Sequence, residues 1–250
     1  MILWVNGWKQ LFRSTTENIY DMGIHKDVIV SKPWGYEYLI FETVDVALWL
    51  LYIKSGHKTS LHCHPNKTTG LLLLKGKARI SFIADNKVID APSKQMFRRG
   101  LFHSTEALSP DGIFVLEIET PNEKNDLIRL DDVYGRSNLS YESGDNLIAK
   151  TSNSIWISEP HSDALENYNN GEISFQIQKI NNIETLLGFK DDQIIMFLRG
   201  GVGKFVSGVP QLATAPGDIG LVLILRTVLL SMEFVSKDTL VLIVGSNEAQ

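Results

Sequence analysis

Gly56-His57-Lys58-Thr59-Ser60-Leu61-His62-Cys63-His64, then Thr69-Gly70-Leu71-Leu72-Leu73-Leu74-Lys75-Gly76, joins two histidines one residue apart to an apolar run and a glycine turn. Along a strand, side chains two apart share a face, so His62 and His64 project together while Cys63 turns the other way. If that face is the inside of a barrel, the two imidazoles converge and leave room for a third group. Neutral imidazole nitrogens suit Zn, Fe, Ni and Cu. An isolated His-x-His on a surface strand is simply solvated, so the surroundings decide.

Those surroundings read as β structure. Short apolar or alternating runs recur between Gly, Pro, Asn and Asp, and helical periodicity is scarce. The runs are Glu37–Phe41, Ala47–Ile53, Thr59–His62, Gly70–Leu74, Ala78–Ile83, Lys87–Ile89, Gln95–Phe97, His103–Ala107 and Ile113–Glu119. Ser55-Gly56, Lys75-Gly76, Asp85-Asn86, Arg99-Gly100 and Asp111-Gly112 are suitable turns between them. So many short strands in so little chain predict a jelly-roll barrel, which closes or protects its edges.

Past residue 120 the character changes. Pro121 to Asp126 is polar, and Ser137 to Ser154 is rich in Ser, Asn, Asp and Gly, as in a connector laid over the surface. Strand-like runs return at Ile173–Ile180, Gln193–Leu198, Lys204–Val206, Gln211–Thr214, Gly220–Leu225, Val228–Phe234 and Thr239–Val244. The expected fold is all-β with two jelly-roll barrels. A lead spans 1–30, the first barrel 31–136, a connector 137–170 and a second, degenerate barrel 171–250. Leu74-Lys75-Gly76-Lys77-Ala78 has a weak echo in Leu198 to Lys204. Beyond His161 the second half has no histidine, so it is expected to be metal-free and structural.

The bulk numbers narrow the partners. A net charge of −5 gives no positive field to attract nucleic acid or an anionic membrane. Cys63 is the only cysteine, which rules out an intrachain disulfide and fits a reducing compartment. The opening residues lack a basic leader and are broken by Asn6 and Gly7, a poor signal peptide. The most apolar window, Ile219 to Met232, is interrupted by Arg226 and is shorter than a membrane span. The expected location is the cytoplasm.

Around the histidines the spacing resembles the cupin motifs. Gly-x5-His-x-His-x4-Glu-x6-Gly is matched by Gly56, His62, His64, Thr69 and Gly76, with only the Glu replaced. Pro-x-Gly-x2-His is matched by Arg98, Gly100 and His103, with Arg in place of Pro. The resemblance implies cupin-type barrels, with one divalent ion held in the first by His62, His64 and His103. Zinc is the first choice, with iron, nickel or manganese as alternatives. Thr69 in place of the usual Glu leaves three neutral nitrogens and more open positions, which is catalytic rather than structural in character. His57 at a turn, His25 in the lead and His161 in the connector are expected at the surface, and Cys63 as an inert packed thiol.

The flanks are similar to one cupin family in particular, the type II mannose-6-phosphate isomerases. Lys32-Pro33-Trp34-Gly35-Tyr36-Glu37 resembles the Arg-Pro-Trp-Gly-x-Tyr entry of that domain, and Ser60-Leu61-His62-Cys63-His64 its Ser-Leu-Gln-x-His. Leu116-Glu117-Ile118-Glu119-Thr120 is similar to its Ile-Glu-Val-Gln-Thr strand. Asp126-Leu127-Ile128-Arg129-Leu130-Asp131-Asp132-Val133-Tyr134-Gly135-Arg136 resembles its closing segment.

Over residues 30–136 the resemblance implies a metal-dependent isomerase or epimerase acting on a sugar or sugar phosphate, in polysaccharide precursor synthesis. Such chemistry needs a Lewis acid, an acid/base group and a phosphate clamp. Glu117 and Glu119 share a strand face and are the candidate acid/base pair, with Arg136 beside them. Lys32 and Thr69 are candidate substrate contacts. Trp34 and Tyr36 read as core or lid. Three-histidine iron dioxygenase and a non-catalytic carbohydrate-binding bicupin are the competing readings. The expected partner is a small carbohydrate or sugar phosphate, and the expected assembly a homodimer.

Overall fold

The computed structural model describes residues 28–123, 126–135, 147–148 and 154–246. Four strands open it: β1 (Ile29–Lys32), β2 (Gly35–Glu42), β3 (Ala47–Ile53) and β4 (Leu61–Cys63). Next come β5 (Thr68–Lys75), β6 (Lys77–Ser81), β7 (Asn86–Asp90) and β8 (Ser93–Phe97). The first barrel ends with β9 (Ser104–Ala107), β10 (Ile113–Thr120) and β11 (Ile128–Asp131), and β12 (Leu147–Ile148) adds to its edge.

Seven strands form one wall, in the order β12-β1-β2-β3-β10-β5-β8. The opposite wall is β7-β6-β9 together with β4-β11. Two isolated bridges, Lys58 to Glu106 and His62 to His103, join those pieces. Two antiparallel walls around one core make this a jelly roll.

The large wall explains its own sequence. Ala-Leu-Trp-Leu-Leu-Tyr-Ile in β3 and the leucine run in β5 do not alternate with polar residues, because both faces of this sheet are covered. Trp49, Leu51, Leu71, Leu73 and Val115 point into the barrel. Leu48, Leu50, Leu72, Leu116 and Ile118 point out and join Phe175, Ile177, Met196 and Leu242 of the second half in one core. Gly70 lets the halves approach: a Cβ there would meet Ile219 Cδ1 at 2.6 Å and Ile118 Cγ2 at 2.8 Å.

The second half contains β13 (Glu166–Asn170), β14 (Ile173–Ile180), helix α1 (Ile183–Leu187), β15 (Ile194–Arg199), β16 (Val202–Val206) and β17 (Val209–Leu212). It ends with β18 (Ile219–Leu221), helix α2 (Val222–Leu229), β19 (Phe234–Val235) and β20 (Thr239–Ser246). Its sheets run β13-β14-β20-β15-β18 and β17-β16-β19.

Several expectations change here. The runs Gly220–Leu225 and Val228–Phe234 are not two strands: helix α2 occupies residues 222–229. Buried Val222 and Leu229 and partly buried Leu225 and Met232 recur at helical spacing, whereas Leu223, Ile224, Val228 and Leu230 are exposed. Apolar residues on the solvent side hid that period. Arg226 anchors the helix by donating to the carbonyls of Leu187 and Phe189 and to Asp191. The connector expected over 137–170 ends in a strand, β13, which covers the edge of β14. Strands also form at 29–32 and 128–131, where none was expected. No helix among the described residues is long and apolar enough to cross a membrane.

Candidate metal centre

The histidines meet because two strands of the small wall meet. His62 N–H donates to the His103 carbonyl at 3.0 Å and His103 N–H to the His62 carbonyl at 2.8 Å. Residues paired in this way project to one side, so both rings enter the barrel. His64, two residues on from His62, follows them. Ring centroids lie 4.5 Å apart for His62 and His103, 5.1 Å for His62 and His64, and 5.9 Å for His64 and His103. One ligand atom from each ring falls within 4.8 Å of the others. Phe97 stacks on the His103 ring at 3.7 Å and 8°, which fixes its plane.

Hydrogen bonds settle which nitrogen is available. Nδ1 of His62 meets the Ser60 carbonyl at 2.8 Å, Nδ1 of His103 the Leu101 carbonyl at 2.9 Å, and Nδ1 of His64 the Asp126 carbonyl at 2.5 Å. A carbonyl only accepts, so each Nδ1 carries the hydrogen and each Nε2 presents a lone pair. Nε2 of His103 is buried with no hydrogen-bond partner among the described residues. Burial first, then a neighbouring ring for His62 and His103 and the Lys67 charge for His64, push all three rings down to about 3, so they are neutral at physiological pH. Three neutral, oriented nitrogens, on the buried rings of His64 and His103 and the half-buried ring of His62, with backbone carbonyls behind them fit a divalent transition metal.

Carboxylates stand over this group. Glu117 and Glu119 lie on the inner face of β10 and line the same cavity, of about 80 Å³, as His62 and His64. Glu119 Oε1 is 4.0 Å from His64 Nε2 and 3.0 Å from Lys67 Nζ. Glu117 is raised to about 8 by burial first, then by the charges of Glu119 and Glu37, with Lys67 opposing. It therefore holds a proton at neutral pH. Lys32 is buried, pairs with Glu37 at 3.2 Å and also lines the cavity.

Thr69 is 1% exposed and does not line the cavity; its hydroxyl has no hydrogen-bond partner among the described residues. Trp34 lies in the barrel core and also reaches the cavity wall. Tyr36 packs at the outer core. Cys63 is buried, and that burial raises its thiol. Arg136 lies outside the described residues.

Sequence reasoning missed Lys67, Arg129 and Asp126. Arg129 lines the cavity from β11, directly across from His62. The period-2 pattern of Ile128 to Asp131 was the available signal, but its apolar residues, Ile128 and Leu130, are exposed.

No family model and no curated protein matches the sequence. Among solved structures, the chain is similar to an uncharacterized conserved protein with a double-stranded beta-helix domain from Klebsiella pneumoniae. Identity is 15%, over 38% of this chain and 84% of that one, with a TM-score of 0.36. KdgF from Halomonas sp. shows 15% identity over 39% of this chain and 89% of its own, with a TM-score of 0.36. A sugar phosphate isomerase of the cupin superfamily from Silicibacter pomeroyi shows 12% identity over 39% and 66%, with a TM-score of 0.36. The jelly-roll assignment rests on the strand order and register described above.

Proposed function

We propose that the first barrel is a metal-dependent isomerase or epimerase of a sugar or sugar phosphate. The observation that carries this reading is that two carboxylates, Glu117 and Glu119, line the same cavity as His62 and His64. A metal on His62, His64 and His103 would supply a Lewis acid to polarise the substrate carbonyl. The protein's own groups supply the rest.

Glu117 carries a proton at neutral pH, whereas Glu119 is paired with Lys67. Two carboxyls in different electrostatic settings suit the two halves of a proton transfer between adjacent carbons, one donating while the other accepts. Lys32 and Arg129 place cationic side chains on the cavity wall, where a phosphate or sugar hydroxyl enters. The sequence resemblance over residues 30–136 favours a sugar phosphate over other hydroxycarbonyl substrates.

The test is solvent exchange. Protein loaded with zinc or manganese is incubated in D2O with mannose 6-phosphate or fructose 6-phosphate. Deuterium should enter at the carbon next to the carbonyl, and Glu117→Gln should abolish it. No exchange across a panel of sugar phosphates, by protein shown to hold metal, sinks the isomerase reading. Oxygen uptake by the iron-loaded protein would instead select a three-histidine dioxygenase.

A further inference from the structure

We infer that Asp126 is the positioning residue of the metal centre, setting the ring of His64 and the location of Lys67 while touching no metal itself. This rests on the reading of the three imidazoles as a metal site.

Asp126 is 7% exposed and far in sequence from what it holds. Its carboxylate takes three donors from the turn between β4 and β5: Asn66 N–H at 2.8 Å, Lys67 N–H at 2.8 Å and Asn66 Nδ2–H at 3.0 Å. Its own backbone carbonyl takes the hydrogen on Nδ1 of His64. One residue thus fixes both ends of the turn 64–67: the ring at the start and the backbone at the finish.

The consequences reach further into the cavity. Lys67, placed by that turn, holds Glu119, whose Oε1 lies 4.0 Å from His64 Nε2. The chain leaving Asp126 then becomes β11 and pairs with β4, Ile128 opposite Cys63 and Arg129 opposite His62. So the segment 126–129 carries the tautomer-fixing acceptor of one ligand, the backbone partner of another and a cation of the cavity wall.

The Asp126 carboxylate takes two backbone N–H groups on Oδ2 and the Asn66 side chain on Oδ1; an amide in its place loses the charge and forces the Asn66 side chain to turn its own oxygen round. A side chain that merely staples two loops would change stability and leave the coordination geometry alone. A side chain that aims a ligand changes both affinity and geometry.

Cobalt(II) separates these cases, because its visible absorption reports ligand number and geometry. We expect the intact protein to bind Co(II) with a defined visible band. Asp126→Asn and Asp126→Ala should bind it at least about 10-fold more weakly, with an altered band. Asp126→Glu should recover part of both. Asn66→Ala removes one donor and keeps the two backbone ones, and should change affinity by less than about 3-fold.

Folding is checked by the metal-free far-ultraviolet spectrum. If Asp126→Ala fails that check, Asp126→Asn and amide exchange in the intact protein decide, with Asn66 and Lys67 amides expected to slow on metal binding. A folded Asp126 variant with unchanged affinity and band, or amides indifferent to metal, overturns the inference. No Co(II) binding by the intact protein removes the metal reading itself, a result distinct from either.

Discussion

Thr69 on β5 stands directly opposite Glu119 on β10 in the antiparallel ladder. The inner face at this level therefore holds one carboxylate, contributed by β10, and a sealed hydroxyl. Like charges placed directly opposite destabilise a strand pair, and a cation between them reverses the effect. Thr69→Glu should lower metal-free stability by roughly 2–4 kcal/mol, with a substantial part recovered on adding manganese or zinc. Thermal melts with and without metal measure this. An identical melt under both conditions would show that the new carboxylate does not face an ion.

Lys67 and Glu119 form a buried pair, with side-chain exposures of 2% and 12%, so solvent screens it little. Removing one partner strands the other's charge. Lys67→Met should cost about 3–5 kcal/mol, and Lys67→Met with Glu119→Gln should be markedly more stable than the single variant. A urea-denaturation double-mutant cycle reads the coupling. A coupling near zero would mean that the pair does not hold in solution.

The barrel was legible in sequence where burial leaves a simple signature. Ala47–Ile53 and Ile173–Ile180 match strands β3 and β14 end to end, because a short apolar or alternating run between turn residues has few other solutions. His62 and His64 were legible from spacing, since a period-2 strand dictates which side chains share a face, whereas His103 was reached only through the resemblance of Arg98 to His103 to the second cupin motif. Helix α2 was not legible, because exposed Leu223, Ile224 and Leu230 blur its apolar stripe. Lys67, Arg129 and Asp126 were not either. Their roles depend on contacts between chain segments about sixty residues apart, such as Asn66 to Asp126, which no local pattern encodes.

Glu117 makes the stability of the barrel depend on pH. Its folded value of about 8 lies above the ordinary 4.5, so between these values the native state binds the proton that the unfolded state releases. The stability this protonated carboxyl retains at low pH is lost as pH rises through about 8. Glu117→Gln, which needs no proton, should be more stable than the parent above pH 8, by roughly 1–3 kcal/mol, and near equal to it below pH 4.5. Isomerase activity should disappear in the same variant. Denaturant midpoints from pH 4 to 9 check the first claim. Parallel curves for the two proteins would show that Glu117 titrates normally.

The three imidazoles have the opposite sign. Folded values of about 3 lie below the ordinary 6.5, so between those limits the unfolded chain takes up protons that the native site refuses. Metal-free stability should therefore fall as pH drops below about 6.5, with each histidine adding at most about 1.4 kcal/mol per pH unit. The proton that native Glu117 holds over the same range offsets part of this slope, so the metal-free barrel should lose stability in mild acid by less than three independent histidines would give. Bound zinc stabilises the neutral rings and should move that loss to lower pH.

His103→Ala tests the site directly. It opens space beside Phe97 and lowers stability at every pH, so the informative quantity is the slope. One fewer suppressed protonation should make the metal-free curve shallower between pH 6.5 and 4, and zinc should no longer shift it. Urea midpoints at a series of pH values, for both proteins with and without zinc, give the four curves. Equal slopes in the two metal-free proteins would mean that the fold does not hold His103 neutral, and a zinc shift surviving in the variant would mean that its Nε2 is not a ligand.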